Sequence, residues 1–441
     1  METMVDGQTL TGASAAAAAL FETAEHELRC FVGDPVGSVE AALADSPDFA
    51  MAHAFKGWLY GLSTDKAAMP VTQACAEAAN RLAGTERERA HAEALGDLAA
   101  GGWHRAGKRL AAHTEAHPLD ALALQAGHQI DFFTGNAEML RDRIARALPA
   151  WSPEIPGYHA VLGMQAFGLE ENADYAQAEA LGRRAVDLEP HDGWAQHAVA
   201  HVMEMQSRQR DGIAWMRNNE AGWTGRSFLQ VHNWWHLSLF HYDLGETEQV
   251  LALYDGPIYG SGSTLALNLL DASAILWRLM LGGIDIGSRW SPLADSWLPK
   301  ARDGNYAFND MHAMMAFVGA GRDDAARDLL AAQEEAMAGG GDNAAFTREV
   351  GRPATLGIKA FGEGRYADAV EALRPLPAVA HRFGGSHAQR DVIALTLIEA
   401  ALRAGDGYLA RDLTAKRLAA RPASPLSALF ARRAKMLPPA A

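Results

Sequence analysis

Long Ala/Leu stretches broken by polar residues run along this chain, β-branched runs are scarce, and strict alternation never persists for a whole strand. The pattern predicts helices almost throughout. A helical-hairpin repeat needs small residues where its helices cross, Gly at its turn and Pro at its exit. The segment from Leu181 to Pro190, L-G-R-R-A-V-D-L-E-P, fits the second helix of a 34-residue repeat of the tetratricopeptide kind. With Tyr175 upstream, Ala178, Ala185 and Pro190 fall at the expected offsets, and the proline ends the helix.

The same frame fits later segments. Trp234, Leu237, Gly245 and Tyr254 make one match, and Gly321 with Ala326 a second. Gly364, Tyr366 and Ala369 make a third, and Gly405, Ala410 and Pro422 a fourth. Gly102-Trp103 and Gly135-Asn136 read as earlier turns. Each hairpin of such an array buries its apolar face only against a neighbour, so matches at repeat spacing reinforce one another. The expected fold is therefore all-α, an α-solenoid of tetratricopeptide-like hairpins, with an irregular segment near 255–305 where D-G-P-I-Y-G-S-G-S clusters turn residues. Gly339-Gly340-Gly341 marks another loop, and no linker is evident. Residues 1–441 are expected to form one helical-repeat domain, with N-terminal hairpins over about 15–150 and histidine-rich repeats over about 151–430.

Composition narrows the function. The net charge of −15 has no basic block to offset it, which argues against nucleic-acid or anionic-lipid partners. Two cysteines, Cys30 and Cys75, supply no disulfide framework. The opening residues Met1–Asp6 lack a positive segment, the Ala-rich run from Ala13 to Leu20 reads as a first helix, and no stretch is long and apolar enough to span a bilayer. A cytoplasmic protein is expected.

The 17 histidines fall into motifs. In W-A-Q-H-A-V-A-H-V-M-E-M-Q, His197 and His201 are four apart and Glu204 follows by three, so all three share one helical face. In V-H-N-W-W-H-L-S-L-F-H, His232 and His236 repeat the spacing beside Trp234 and Trp235. First helices of neighbouring hairpins stack side by side, so the two pairs can face each other. Neutral imidazoles in that arrangement suit zinc or another divalent ion, with Glu204 as a further ligand or a general base. The plain alternative is core packing, in which the histidines hydrogen-bond internally and the tryptophans fill space.

Two further segments are polar for packing helices. Phe308-Asn309-Asp310-Met311-His312 opens a helix, with Asp310 as its cap or as a catalytic acid. Gly384-Gly385-Ser386-His387-Ala388-Gln389-Arg390-Asp391 reads equally as a capped helix start or as a loop delivering His387 and Arg390 to a carboxylate. Gly127-His128-Gln129-Ile130-Asp131 is a lesser case. No nucleophile-elbow, Walker or dinucleotide fingerprint occurs in a fitting context.

The strings H-D-G-W-A-Q-H-A-V-A-H-V-M-E-M-Q, H-N-W-W-H-L-S-L-F-H, F-N-D-M-H-A-M-M-A, G-G-S-H-A-Q-R-D-V, L-D-A-S-A-I-L-W-R-L and A-L-Q-A-G-H-Q-I-D-F-F resemble the tetratricopeptide repeat protein 38 family over about residues 85–425. Gly193 departs from it, where a larger residue is expected. The resemblance implies a soluble helical-repeat fold and carries no catalytic residue.

Two functions stand side by side. One is a His-rich pocket for a small molecule, a metal-assisted hydrolase in its sharpest form. Its metal ligands are His197, His201, His232 and His236; Glu204, His387, Arg390 and Asp310 act on the reaction; and Trp194, Trp234, Trp235, His312, Asn309 and His128 hold substrate. The other is a non-enzymatic scaffold that takes a peptide or protein in its groove. The tryptophans leave a homodimer open in either case.

Overall fold

The helix turns of this chain share one backbone device. Between the two helices of each hairpin one residue takes the left-handed conformation, and the next amide bonds back to the carbonyl five residues earlier: Asn136 to Asp131 at 2.8 Å, Arg208 to Met203 at 2.8 Å, Asp406 to Ala401 at 3.0 Å. The left-handed residues are Phe31, Thr64, Gly101, Gly135, Ala173, Ser207, Gly245, Gly283, Gly321, Gly364 and Gly405, spaced 33 to 43 residues apart. A Cβ at Gly245, Gly321, Gly364 or Gly405 would meet open space, so glycine is used there for its conformation and not for its size. The turn expected at Gly102 places its left-handed residue at Gly101, because Gly102 sits at the start of the next helix.

These features come from a computed structural model that describes residues 2–3 and 9–438. Most of the opening Met1–Asp6 segment lies outside the described residues. A two-residue antiparallel pair, Glu2–Thr3 with Thr9–Leu10, is the one sheet among them, and otherwise the chain is all-helical. Among the described residues no helix is long and apolar enough to cross a membrane.

The first helices are α1 (Ala15–Cys30), α2 (Pro35–Asp45), α3 (Ala50–Gly61), α4 (Met69–Leu82), α5 (Glu86–Ala99) and α6 (Trp103–Ala116). Next come α7 (Ala121–Phe133), α8 (Ala137–Ala147), α9 (Tyr158–Glu171), α10 (Tyr175–Leu188), α11 (Gly193–Met205), α12 (Gln209–Asn218) and α13 (Glu220–Trp223). They are followed by α14 (Gln230–Asp243), α15 (Thr247–Leu253), α16 (Ala266–Leu281), α17 (Trp290–Trp297), α18 (Ala307–Gly319) and α19 (Asp323–Ala338). The last are α20 (Asp342–Phe346), α21 (Arg352–Gly362), α22 (Tyr366–Leu373), α23 (His387–Arg403), α24 (Gly407–Ala420) and α25 (Pro425–Met436).

The helices gather into two compact bodies, one of residues up to 199 with 219–230, the other of residues 200–218 and 231 onward. In the first, each helix from α3 to α10 packs on the next, as in an α-solenoid. The second helix of a hairpin buries one face only, as α10 does through Ala178, Gly182, Ala185 and Val186. Some first helices are enclosed on nearly all sides, as α9 is from Ala160 to Glu171 and α18 over most of its length. The 219–230 segment joins this body by pairing with the α1–α2 turn, where Phe228 donates to Phe31 and Gly33 to Arg226, each at 2.9 Å.

In the second body α16, α18, α21, α22 and α23 pack in sequence, and α23 returns onto α16. Trp277 donates to Thr396 at 2.9 Å, and Arg278 to the Ala388 carbonyl at 2.8 Å. The irregular stretch near 255–305 is present at its ends, with a kink at Gly256-Pro257 and short turns around α17. Between them α16 is a regular helix.

Candidate metal centre

Where a first helix is enclosed, any polar side chain on it has to find its partner inside the protein. In the second body α11 contributes His201, and α14 contributes His232 and His236. His201 and His236 have ring centroids 4.3 Å apart, His232 and His236 4.8 Å. One nitrogen from each of the three lies within 4.8 Å of the others. The i, i+4 spacing aligns His232 with His236, and α11 brings His201 against them from the next hairpin.

Two carboxylates lie against these rings. Asp271 on α16 takes the Nδ1 proton of His232 at 3.0 and 3.1 Å, which leaves Nε2 as the nitrogen able to take an ion. Glu204 reaches Nδ1 of His236 at 3.4 Å and, through its other oxygen, Arg421 at 3.6 Å. The contact with His236 is not a hydrogen bond, and burial pushes the Glu204 carboxyl up. Trp235 stacks on His232 at 5.3 Å, and the Arg278 guanidinium lies over the Trp235 ring at 5.4 Å. Burial pushes His201 and His236 well below the usual imidazole range, with neighbouring histidines adding to the effect. Both are therefore neutral near pH 7, the form that offers a lone pair to a metal.

His387 and Arg390 lie close enough for their charges to disfavour a proton on His201. They stand at the start of α23, which is a capped helix: Ser386 and Gln389 form a reciprocal capping box, and Arg390 bonds to the Gly385 carbonyl and to His387. His387 is exposed and Arg390 half-buried.

His312 is buried and bonds its own helix, Nδ1 to the Phe308 carbonyl at 2.9 Å, and burial pushes it down to about 3. Asp310 does not cap α18, whose N-cap is Tyr306; it lies in the first turn, buried, within 3.4 Å of the Gln333 amide. Asn309 is half-buried beside it. Trp234 carries Arg217 over its ring at 5.3 Å. Trp194, His128 and His197 belong to the first body. There Trp194 stacks on Phe31 at 5.4 Å, His128 lies edge-on to Trp194 at 5.7 Å, and His197 stacks on Phe167 at 5.3 Å. His197 shares the α11 face of His201, one turn earlier.

Behind Glu204 lies a cavity of about 30 Å³, water-sized, lined by Glu204, Asp243, Arg278, Asp391, Arg417 and Arg421 among others. Asp391 and Arg417 form a bidentate pair at 2.6 and 2.9 Å. Burial opposes the Asp391 charge, yet Arg417 and Arg421 hold its carboxyl well below the usual range. Asp271, Arg278, Arg417 and Arg421 were not singled out from sequence. The available signal was the pair of charges, Asp271 and Arg278, inside the otherwise apolar α16.

One other histidine group looks like a ligand set and is not one. In the first body His91 and His113 point Nε2 at the same oxygen of Asp120, at 3.1 and 2.9 Å, while Trp58 donates to His91 Nδ1 at 3.0 Å. His91 must then carry its proton on Nε2, and neither of its nitrogens keeps a lone pair for a metal. Asp120 also takes Arg87 and caps α7. No family model matches the chain.

Proposed function

We propose that the second body holds a divalent ion of the zinc type on His201, His232 and His236, and that the protein is a metal-dependent hydrolase of a small substrate. The convergence of three imidazoles, two of them buried and neutral and the third braced by Asp271, carries this reading. Three protein ligands leave a coordination position open, where an ion supplies an activated water and polarises a carbonyl. Asp271 fixes the His232 ring, and Trp235 shields one side of it. Arg390 and His387, beside His201, are the groups placed to receive an anionic part of the substrate.

Metal analysis of protein purified without chelator tests the reading, with the His232→Ala/His236→Ala double variant as reference. The parent should carry about one equivalent of metal more than the variant, as expected for a tight site. Equal contents in a folded variant refute the centre. Screening both proteins against small amides and esters tests the chemistry, and metal retention with no turnover in the parent refutes the hydrolase.

A further inference from the structure

A second group of metal-type donors lies in the first body, on elements the histidine centre does not use. His26 and Cys30 are four apart on one face of α1, and Sγ of Cys30 lies 3.9 Å from Nδ1 of His26. Glu189, the residue that ends α10, completes the set: one ligand atom from each of the three lies within 4.8 Å of the others. A tetrahedral zinc with ligands about 2.1–2.3 Å away places neighbouring donor atoms about 3.6 Å apart, so small side-chain adjustments close this site.

The surroundings fit a cation. Glu189 is held by His191, whose backbone amide and Nδ1 both approach Oε1 at 3.0 Å, leaving Oε2 for an ion. Asp192 is engaged elsewhere, capping α11 through Ala195 at 2.9 Å and holding His159 at 2.8 Å. Its charge and that of Glu189 nonetheless reach Cys30, which burial, first, and these carboxylates push upward. A bound cation reverses that balance, because it stabilises the thiolate directly. Arg29 is the cationic side chain whose charge reaches His26.

We propose that His26, Cys30 and Glu189 form a zinc site of mixed sulfur, nitrogen and oxygen donors, which staples α1 to the end of α10. Zinc displaces the Cys30 thiol proton to solvent, His26 binds as the neutral imidazole, and water completes the tetrahedron. The site joins the first hairpin of the body to the fifth, so its effect is on the stability of that body. It is independent of the histidine centre, which has no sulfur.

Cobalt(II) substitution of the full chain separates the two. With cobalt in excess of two equivalents, the parent should show a thiolate-to-cobalt charge-transfer band in the near ultraviolet, which imidazole and carboxylate ligands do not produce. Cys30→Ser should abolish the band. His26→Ala, at an exposed position that folding tolerates, should weaken cobalt affinity at this site by at least about tenfold. The His232→Ala/His236→Ala variant should keep the band. Absence of the band in the parent, its persistence in Cys30→Ser, or unchanged affinity in His26→Ala overturns the proposal. Loss of metal from the histidine centre alone leaves the band in place, so failure of one site is distinguishable from failure of the other.

Discussion

Asp271→Ala is the sharpest probe of the histidine centre, because Asp271 holds His232 without being a ligand itself. Its carboxylate is buried and takes the Nδ1 proton of His232 at 3.0 and 3.1 Å. Without it the ring turns freely and either tautomer is open to it. Outer-sphere partners of this kind contribute about 10- to 100-fold to metal affinity. At zinc about a hundredfold above its dissociation constant, the parent gains about 2.7 kcal/mol of stability from binding. A tenfold loss of affinity reduces that to about 1.4 kcal/mol and a hundredfold loss to about 0.4 kcal/mol. For a body of this size each kcal/mol moves Tm by about 2–4 °C, so a parental zinc shift of about 5–11 °C should fall to about 1–6 °C. Asp271→Asn, which keeps an acceptor for the same proton, should fall between parent and Asp271→Ala. The assay is paired: thermal scans with and without zinc, and zinc competition against a chromogenic chelator. An Asp271→Ala protein that folds and shows the parental zinc shift and affinity refutes the claim that this carboxylate orients a ligand.

Three further outcomes follow from the fold. At Ala173 and Ser207, non-glycine residues sit in the left-handed turn position, so Ala173→Gly and Ser207→Gly should each stabilise by about 0.5–1 kcal/mol in urea titrations, the relieved strain exceeding the added chain entropy; destabilisation at both would contradict this account of the turns. Asp120→Ala removes the acceptor shared by Arg87, His91 and His113 together with the α7 cap, and should cost about 3–5 kcal/mol in the same assay, against about 1 kcal/mol if the cap alone mattered. Burial lowers His312 to about 3, below its unfolded value, so the unfolded chain binds this proton first. Stability is then fully present above pH 6.5 and declines as pH falls from there toward 3; His312→Gln should flatten that slope by up to about 1.4 kcal/mol per pH unit, and an unchanged slope would show that His312 does not titrate in this window.

The helical class, the hairpin succession and many of its turns were legible along the chain, since local chemistry dictates them. Gly135, Gly245, Gly321, Gly364 and Gly405 occupy left-handed positions that favour residues without Cβ, and Ser386 with Gln389 writes a helix start into four residues. Ala173 and Ser207 hid two turns, because there the hairpin imposes the conformation on residues that do not prefer it. The pairing of His197 with His201 and of His232 with His236 was readable from i, i+4 spacing.

What spacing could not supply was the third dimension of each site. Asp271 braces His232 from 39 residues away, and Glu189 joins Cys30 from a helix that ends four hairpins later. Enclosed faces of α11 and α14 gather three imidazoles around one point, while the enclosed face of α18 holds His312, which donates its Nδ1 proton to the carbonyl one turn behind it. A sequence fixes which side chains share a face; packing decides whether that face meets donors, carboxylates or aliphatic carbon. A buried imidazole's chemistry depends on which of its nitrogens is already hydrogen-bonded, and that is settled when the hairpins close on one another.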